Sequence, residues 1–211
     1  MISFLAWLIG RINFDSIRYL ITGQSYNLNY KDITDALKLM KTGRYVGLVT
    51  RKSHLSTWVI CLGHYIACWM HGKKPNIGKY GHCFLHLEDD LTDNEGFQIV
   101  EAVEKGCKIS EFWDVLLVDS ICLLRPKNYS DDQLEEMINI SKKYVGLPYD
   151  KKSNMHDHSS VNCVEGQYAA LMSIDMNGLP NLNAWLKSTK LITPDMIRDC
   201  GDYEIVYETR R

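Results

Sequence analysis

Apolar positions recur at helical spacing over residues 30–42, where Ile33, Ala36, Leu37 and Met40 share one face and Gly43 supplies a stop. Residues 45–50 then read as a short strand. Residues 53–70 contain no Lys, Arg, Asp or Glu. That run is longer than an ordinary strand, so it predicts a helix, either buried or covering a cleft. The character changes again after it. Residues 82–87, 96–101, 115–118 and 120–124 are short apolar or alternating runs between turn signals, the pattern of an antiparallel sheet of about four to six strands. Helical spacing returns at Ser130, an N-cap ahead of Asp131 and Asp132, and continues to about Tyr144 before the stop Gly146-Leu147-Pro148. A polar loop leads to a further helix starting near Cys163, with Val164, Tyr168, Leu171 and Met172 facing inward. Residues 203–207 read as a closing strand. The predicted class is α+β, with helices flanking an antiparallel sheet.

A chain of 211 residues can bury a full core. With no linker or repeat visible, it reads as one domain over 1–211: an apolar helical extension over 1–30 and a catalytic core over 45–175. A net charge of −2 provides no basic field to gather phosphates, which argues against nucleic acid as a partner. Seven cysteines without regular spacing do not form a disulfide framework. Together with the lack of a basic signal-peptide start, they place the protein in the reducing cytoplasm. Residues 1–11 are apolar but too short to span a bilayer. Phe4, Trp7 and Leu8 fit one helical face, which packs on the domain or makes peripheral contact with a membrane surface. Over 53–72 the polar load of His54, His64, His71, Ser56 and Thr57 opposes a transmembrane span.

The chemistry concentrates around Cys163. Asn162 before it is a natural N-cap, and Glu165 completes a capping-box spacing. Cys163 would then occupy the first helical position, where the helix dipole favours a thiolate over a thiol. A thiolate is the nucleophile of cysteine hydrolases. A histidine, His82, stands at the start of one apolar strand, and Glu101 lies at the end of another. Nucleophile, base and base-orienter are all available, with Glu104 an alternative acid. Spacing alone does not show that they meet. His156, Asp157 and His158 carry metal-ligand chemistry, but their spacing suits solvated loop residues, so no metal or cofactor is expected.

The ordered set of short motifs resembles the permuted papain-like amidases, the YiiX/YebB-like relatives of NlpC-type cell-wall peptidases. The matching pieces are Gly47-Leu48-Val49-Thr50-Arg51, Gly81-His82, Ile99-Val100-Glu101-Ala102 with Gly106-Cys107, Leu123-Leu124-Arg125-Pro126, Gly146-Leu147-Pro148-Tyr149-Asp150 and Asn162-Cys163-Val164-Glu165. They cover roughly residues 45–175. In that family histidine precedes cysteine along the chain, as here. The resemblance implies a permuted papain-like, NlpC-like core with Cys163 as nucleophile, His82 as base and Glu101 as its orienter. It also implies that Tyr149 and Asp150 shape the substrate cleft, although a helix-ending turn explains Asp150 equally well. The implied reaction is hydrolysis of an amide bond in a small peptide or aminoacyl substrate, with cell-wall peptides the leading class. Three features depart from the family pattern. Asn162 replaces a common aromatic and Val164 a common serine, and the interval from Thr50 to His82 is long. Two other readings keep the fold: a thiol-based lipid acyl hydrolase or acyltransferase, and a binding module whose site has decayed. The oligomeric state has no signature in the sequence.

Overall fold

The structure, a computed structural model, describes residues 28–51, 55–87, 98–151 and 159–209. Among these, six strands form one sheet: β1 (Val46–Thr50), β2 (His82–His86), β3 (Gln98–Val103), β4 (Gly106–Glu111), β5 (Ser120–Pro126) and β6 (Tyr203–Glu208). Their order is β4-β3-β2-β1-β5-β6, and every pairing is antiparallel. Seven helices accompany them: α1 (Tyr30–Met40), α2 (Leu55–Met70), α3 (Phe112–Val115), α4 (Asp131–Lys142), α5 (Glu165–Ile174), α6 (Pro180–Thr189) and α7 (Pro194–Asp199). The α+β class and the strand number agree with the sequence pattern.

The central strand β1 is buried at all five positions because both faces of the sheet are covered. Val46 and Leu48 join Cys83, Leu85, Cys122 and Leu124 in a large core, which Leu134, Met137 and Ile138 of α4, Ala170 and Leu171 of α5 and Trp185 of α6 complete. Val49, Phe84, Ile99, Ile121 and Leu123 form a second core with Ala36 and Met40 of α1 and Phe112 and Val115 of α3. Period-two alternation along each strand assigns successive residues to the two cores. Capping boxes start α1 (Asn29 with Asp32) and α4 (Ser130 with Gln133).

Several expectations need correction. Residues 115–118 are not a strand: Val115 ends the one-turn helix α3, and Leu116 and Val118 are buried there as core residues rather than as ladder partners. Short apolar runs do not separate strands from buried turns. Gly106–Glu111, where the hydrophobic pattern predicts no strand, pairs along the whole of β3. The pattern also leaves α6 and α7 unassigned. The strand expected at 96–101 is Gln98–Val103, and residues 96 and 97 lie outside the described residues, as do 1–27 and 152–158 with the apolar N-terminal segment and His156, Asp157 and His158. The helix at 55–70 forms as expected but is neither buried nor a cleft cover on its apolar side: Trp58, Leu62, Ile66 and Trp69 are exposed. Polar side chains anchor its inner face instead. No helix among the described residues is long and apolar enough to cross a membrane.

Candidate active site

Two glycines set the entrance to the site. Gly81 precedes β2 and donates its N–H to the Val49 carbonyl (3.1 Å). A Cβ there would strike the side chain of Thr57, so the glycine lets α2 pack against the residue before His82. Gly106 adopts φ 117 in the β3–β4 turn, with its missing Cβ pointing at the Leu147 carbonyl. That close approach joins the β4 strand to the segment after α4: Cys107 N–H donates to Leu147 O and Gly146 N–H to Cys107 O, both at 2.9 Å.

From there the chain runs into a short parallel bridge between Tyr149 and Val161. Val161 N–H donates to Pro148 O (3.0 Å) and Asp150 N–H to Val161 O (3.1 Å). This bridge delivers Asn162 and Cys163 to the head of α5. The Asn162 side chain accepts from the N–H groups of Val164 (3.0 Å) and Glu165 (2.9 Å), and Glu165 Oε2 accepts from Asn162 N–H (3.3 Å). The expected capping pair is therefore made. Cys163 itself sits one step earlier than expected, in the turn that precedes Glu165–Ile174 rather than inside the regular helix. Val164 and Leu171 are buried, while Tyr168 and Met172 pack half-buried on the core.

Cys163, His82 and Glu101 come together. Glu101 is opposite Phe84 in the β2–β3 register, which makes it the diagonal neighbour of His82 on the same face. His82 Nε2 donates to Glu101 Oε2 at 2.9 Å, and the Cys163 thiol lies close enough to the imidazole for each to shift the other's pKa. The carboxylate is held from the other side by Ser110 Oγ (2.6 Å) and Lys108 Nζ (3.3 Å), both on β4. Burial would raise the Glu101 pKa, but the bond and charge of His82, then Ser110 and Lys108, bring it down to about 2. Burial would also discharge His82, yet Cys163 and Glu101 outweigh it and lift its pKa to about 9. For Cys163 the burial penalty is overcome by the hydrogen bond and charge of His82 and by the backbone N–H of Cys83, and its pKa is lowered. Each partner supports the charged form of the other, as in a thiolate–imidazolium pair.

The remaining six cysteines are buried and unpaired, whereas Cys163 is half-exposed. Burial raises the pKa of Cys61, Cys68, Cys83, Cys107, Cys122 and Cys200. Burial and then the neighbouring Cys163 charge push the pKa of the Tyr149 hydroxyl well up. Asp150 is buried behind it and is tied through its N–H to Val161. Glu104 stands exposed in the β3–β4 turn. Beside Cys163 lies a depression lined by Leu85, Val100, Ala102, Cys107, Tyr144 and Gln167.

Three residues of this arrangement were not singled out from sequence. Lys108 and Ser110 act through β4, whose alternation of Cys107 and Ile109 with Lys108 and Ser110 is a strand signal interrupted by no turn residue. Gln167, buried in the first turn of α5, donates through its amide to Cys83 Sγ in a close contact. Nothing in its sequence context separates it from a surface glutamine.

No protein-family model matches the chain, and no curated protein matches it. Among solved structures, the crystal structure of metalloprotein yiiX from Escherichia coli O157:H7 is similar, at a TM-score of 0.52 and 16% identity over 80% of this chain and 97% of that one. At that identity the likeness is one of fold: this chain has the yiiX fold. The word metalloprotein belongs to that neighbour. Among the described residues here, no group of three or more His, Cys, Asp or Glu side chains could hold a metal ion. The donors at the site are also committed to one another, Glu101 to His82, Ser110 and Lys108, and His82 to Cys163.

Proposed function

We propose that the protein is a cysteine hydrolase with a permuted papain-like core, and that Cys163, His82 and Glu101 cleave an amide bond in a peptide or aminoacyl substrate. The observation that carries this reading is the chain of contacts from Ser110 and Lys108 through Glu101 to His82, whose imidazole is electrostatically paired with the Cys163 thiol. The thiolate attacks the amide carbonyl, and its C–S bond forms as the carbonyl electron pair moves to oxygen. The oxyanion is held by the backbone N–H of Cys163, the N–H groups of Val164 and Glu165 being taken up by the Asn162 side chain. Collapse breaks the C–N bond, and the His82 imidazolium gives its proton to the departing amine. Water, deprotonated by the now neutral His82, attacks the thioester and releases the acid, regenerating thiolate and imidazolium. Glu101 fixes the tautomer and orientation of His82 throughout. Tyr149 borders the sulfur and shapes the cleft, with Asp150 supporting it from behind. Cell-wall peptides are the leading substrate class, on the resemblance of the motifs. Seven unpaired thiols suit a reducing compartment such as the cytoplasm.

Leu85, Val100, Ala102 and Tyr144, on one side of the depression beside Cys163, support a second reading in which the same thioester chemistry acts on a lipid acyl group; Glu101, Ser141, Asn162 and Gln167 line the rest. The test is alkylation of the folded protein as a function of pH, read cysteine by cysteine by mass spectrometry and repeated on His82→Ala. Cys163 is expected to label first, well below the pH at which an ordinary thiol reacts, and to lose that preference without His82. Labelling no faster than the six buried cysteines would overturn the hydrolase reading and leave a binding module. Peptide amides and acyl esters offered to the active protein then separate the two substrate classes.

A further inference from the structure

The amphipathicity of α2 is reversed. Trp58, Leu62, Tyr65, Ile66 and Trp69 follow the spacing of one helical stripe, and all are exposed, Trp69 by 71% and Leu62 by 56%. Val59 and Met70 widen the stripe and Ile77 follows it, also exposed. The inward face holds Thr57, Cys61, His64, Ala67 and Cys68. It is anchored by polar contacts as well as packing: His64 Nδ1 to Thr193 Oγ1 at 3.0 Å and His64 Nε2 to Cys68 Sγ at 3.3 Å. Exposed apolar patches of this continuity mark contact sites on soluble folds.

Charge indicates what the contact is. From Arg51 to Leu87 there are five Lys or Arg residues and no Asp or Glu, although the whole chain is net negative. Lys73 and Lys74 lie just past the end of α2 and are exposed. Lys73 Nζ stands 3.9 Å from the centre of the Trp185 ring, Arg51 donates to Asp114 O and Lys79 pairs with Glu208, so Lys74 is the outward charge beside the stripe. A convex stripe mixing Trp and Tyr with Leu, Ile and Met, bordered by lysines, matches the interface of a bilayer with anionic headgroups. A second copy docking by two-fold symmetry would bring this basic segment against itself.

We propose that α2 is a membrane-docking helix that lies in the plane of an anionic lipid surface, with Leu62, Ile66 and Trp69 among the acyl chains and Lys74 at the headgroups. The helix packs through Thr57 against Gly81, next to His82, so docking would hold the strand that carries His82 close to the bilayer. This inference rests on exposure and charge and is independent of the chemistry of Cys163.

The test is co-sedimentation of the full chain with vesicles of phosphatidylcholine and phosphatidylglycerol, alongside vesicles of phosphatidylcholine alone. The protein is expected to pellet with the anionic vesicles and to be released by salt. Leu62→Glu with Trp69→Glu should weaken binding about tenfold or more, since two apolar contacts become buried charges. Lys74→Glu should weaken it several-fold and only on anionic vesicles. Both variants alter exposed side chains, and a cooperative circular-dichroism melt like that of wild type is the check that each is folded. Binding that survives both variants would overturn the proposal, placing the contact elsewhere in the chain. So would an absence of binding, whether the protein is a monomer or forms a dimer that Leu62→Glu with Trp69→Glu dissociates.

Discussion

Glu101 is the residue on which the electrostatics of the site turn. Its carboxylate receives His82, Ser110 and Lys108 at once, so removing its charge loosens the imidazolium before it touches the thiol. Glu101→Gln should lower the His82 pKa and raise that of Cys163, and each unit of that rise removes about tenfold of the thiolate below its pKa. The labelling profile of Cys163 against pH is the measurement, and an unchanged profile would show that Glu101 does not act through His82. The same groups make folding pH-dependent. His82 is raised to about 9, so its contribution is complete below its ordinary value near 6.5 and disappears as pH climbs through 9. Glu101 is depressed to about 2, so its contribution exists above about 4.5 and disappears as pH falls through 2. Denaturant melts of wild type and His82→Ala should therefore differ more at pH 6 than at pH 10. Cys163, His82 and Asn162 were legible as chemistry in the sequence, because thiol, imidazole and cap carry their roles in their side chains. Their meeting was not, since it depends on a strand register and on the Tyr149–Val161 bridge.

Among the elements, legibility followed periodicity. The helices α1 and α4 have a capping side chain in front and apolar residues at helical spacing, and their predicted limits agree with those observed to within about two residues. The strand β4 escaped because only Cys107 and Ile109 are apolar in it, and an edge strand needs no more than one covered face. The helix α6 begins at Pro180 without a capping side chain of its own: the Asp202 carboxylate, twenty residues on, accepts from Leu182 N–H at 2.8 Å. No local reading finds such a cap. At the head of α5 the cap is local, and Asn162→Ala should cost about 1–2 kcal/mol in thermal unfolding. A loss near zero would mean that Glu165 alone organises the turn.

Across the molecule, stability and surface contact draw on different residues. Phe84 lies on the second core with Ile99 and Phe112 and is buried, so Phe84→Ala should cost about 3–5 kcal/mol in denaturant unfolding. Trp69→Ser removes a larger ring from the exposed stripe of α2, and its cost in water should be within about 0.5 kcal/mol. A large loss for Trp69→Ser would show that part of the chain covers that stripe. The resemblance read from six short motifs and the yiiX fold found in three dimensions concern the same region, yet neither the strand order nor the exposure of α2 followed from the motifs. An uncharged helix reads the same whether its apolar side faces a core or the outside, because hydrophobicity records preference for leaving water and not the destination.

The last strand is tied to the beginning of the site. Glu208 on β6 accepts from Tyr80 Oη (2.7 Å), Lys79 Nζ (3.3 Å) and both Arg198 Nε (3.1 Å) and Nη2 (2.8 Å), and Lys79 and Tyr80 lie just before Gly81 and His82. Along the chain His82 and Glu101 come first, Cys163 sixty-two residues after Glu101, and Glu208 after all three. The clasp that fixes the segment leading into His82 therefore cannot close until residue 208 has been made, however early the rest of the sheet pairs.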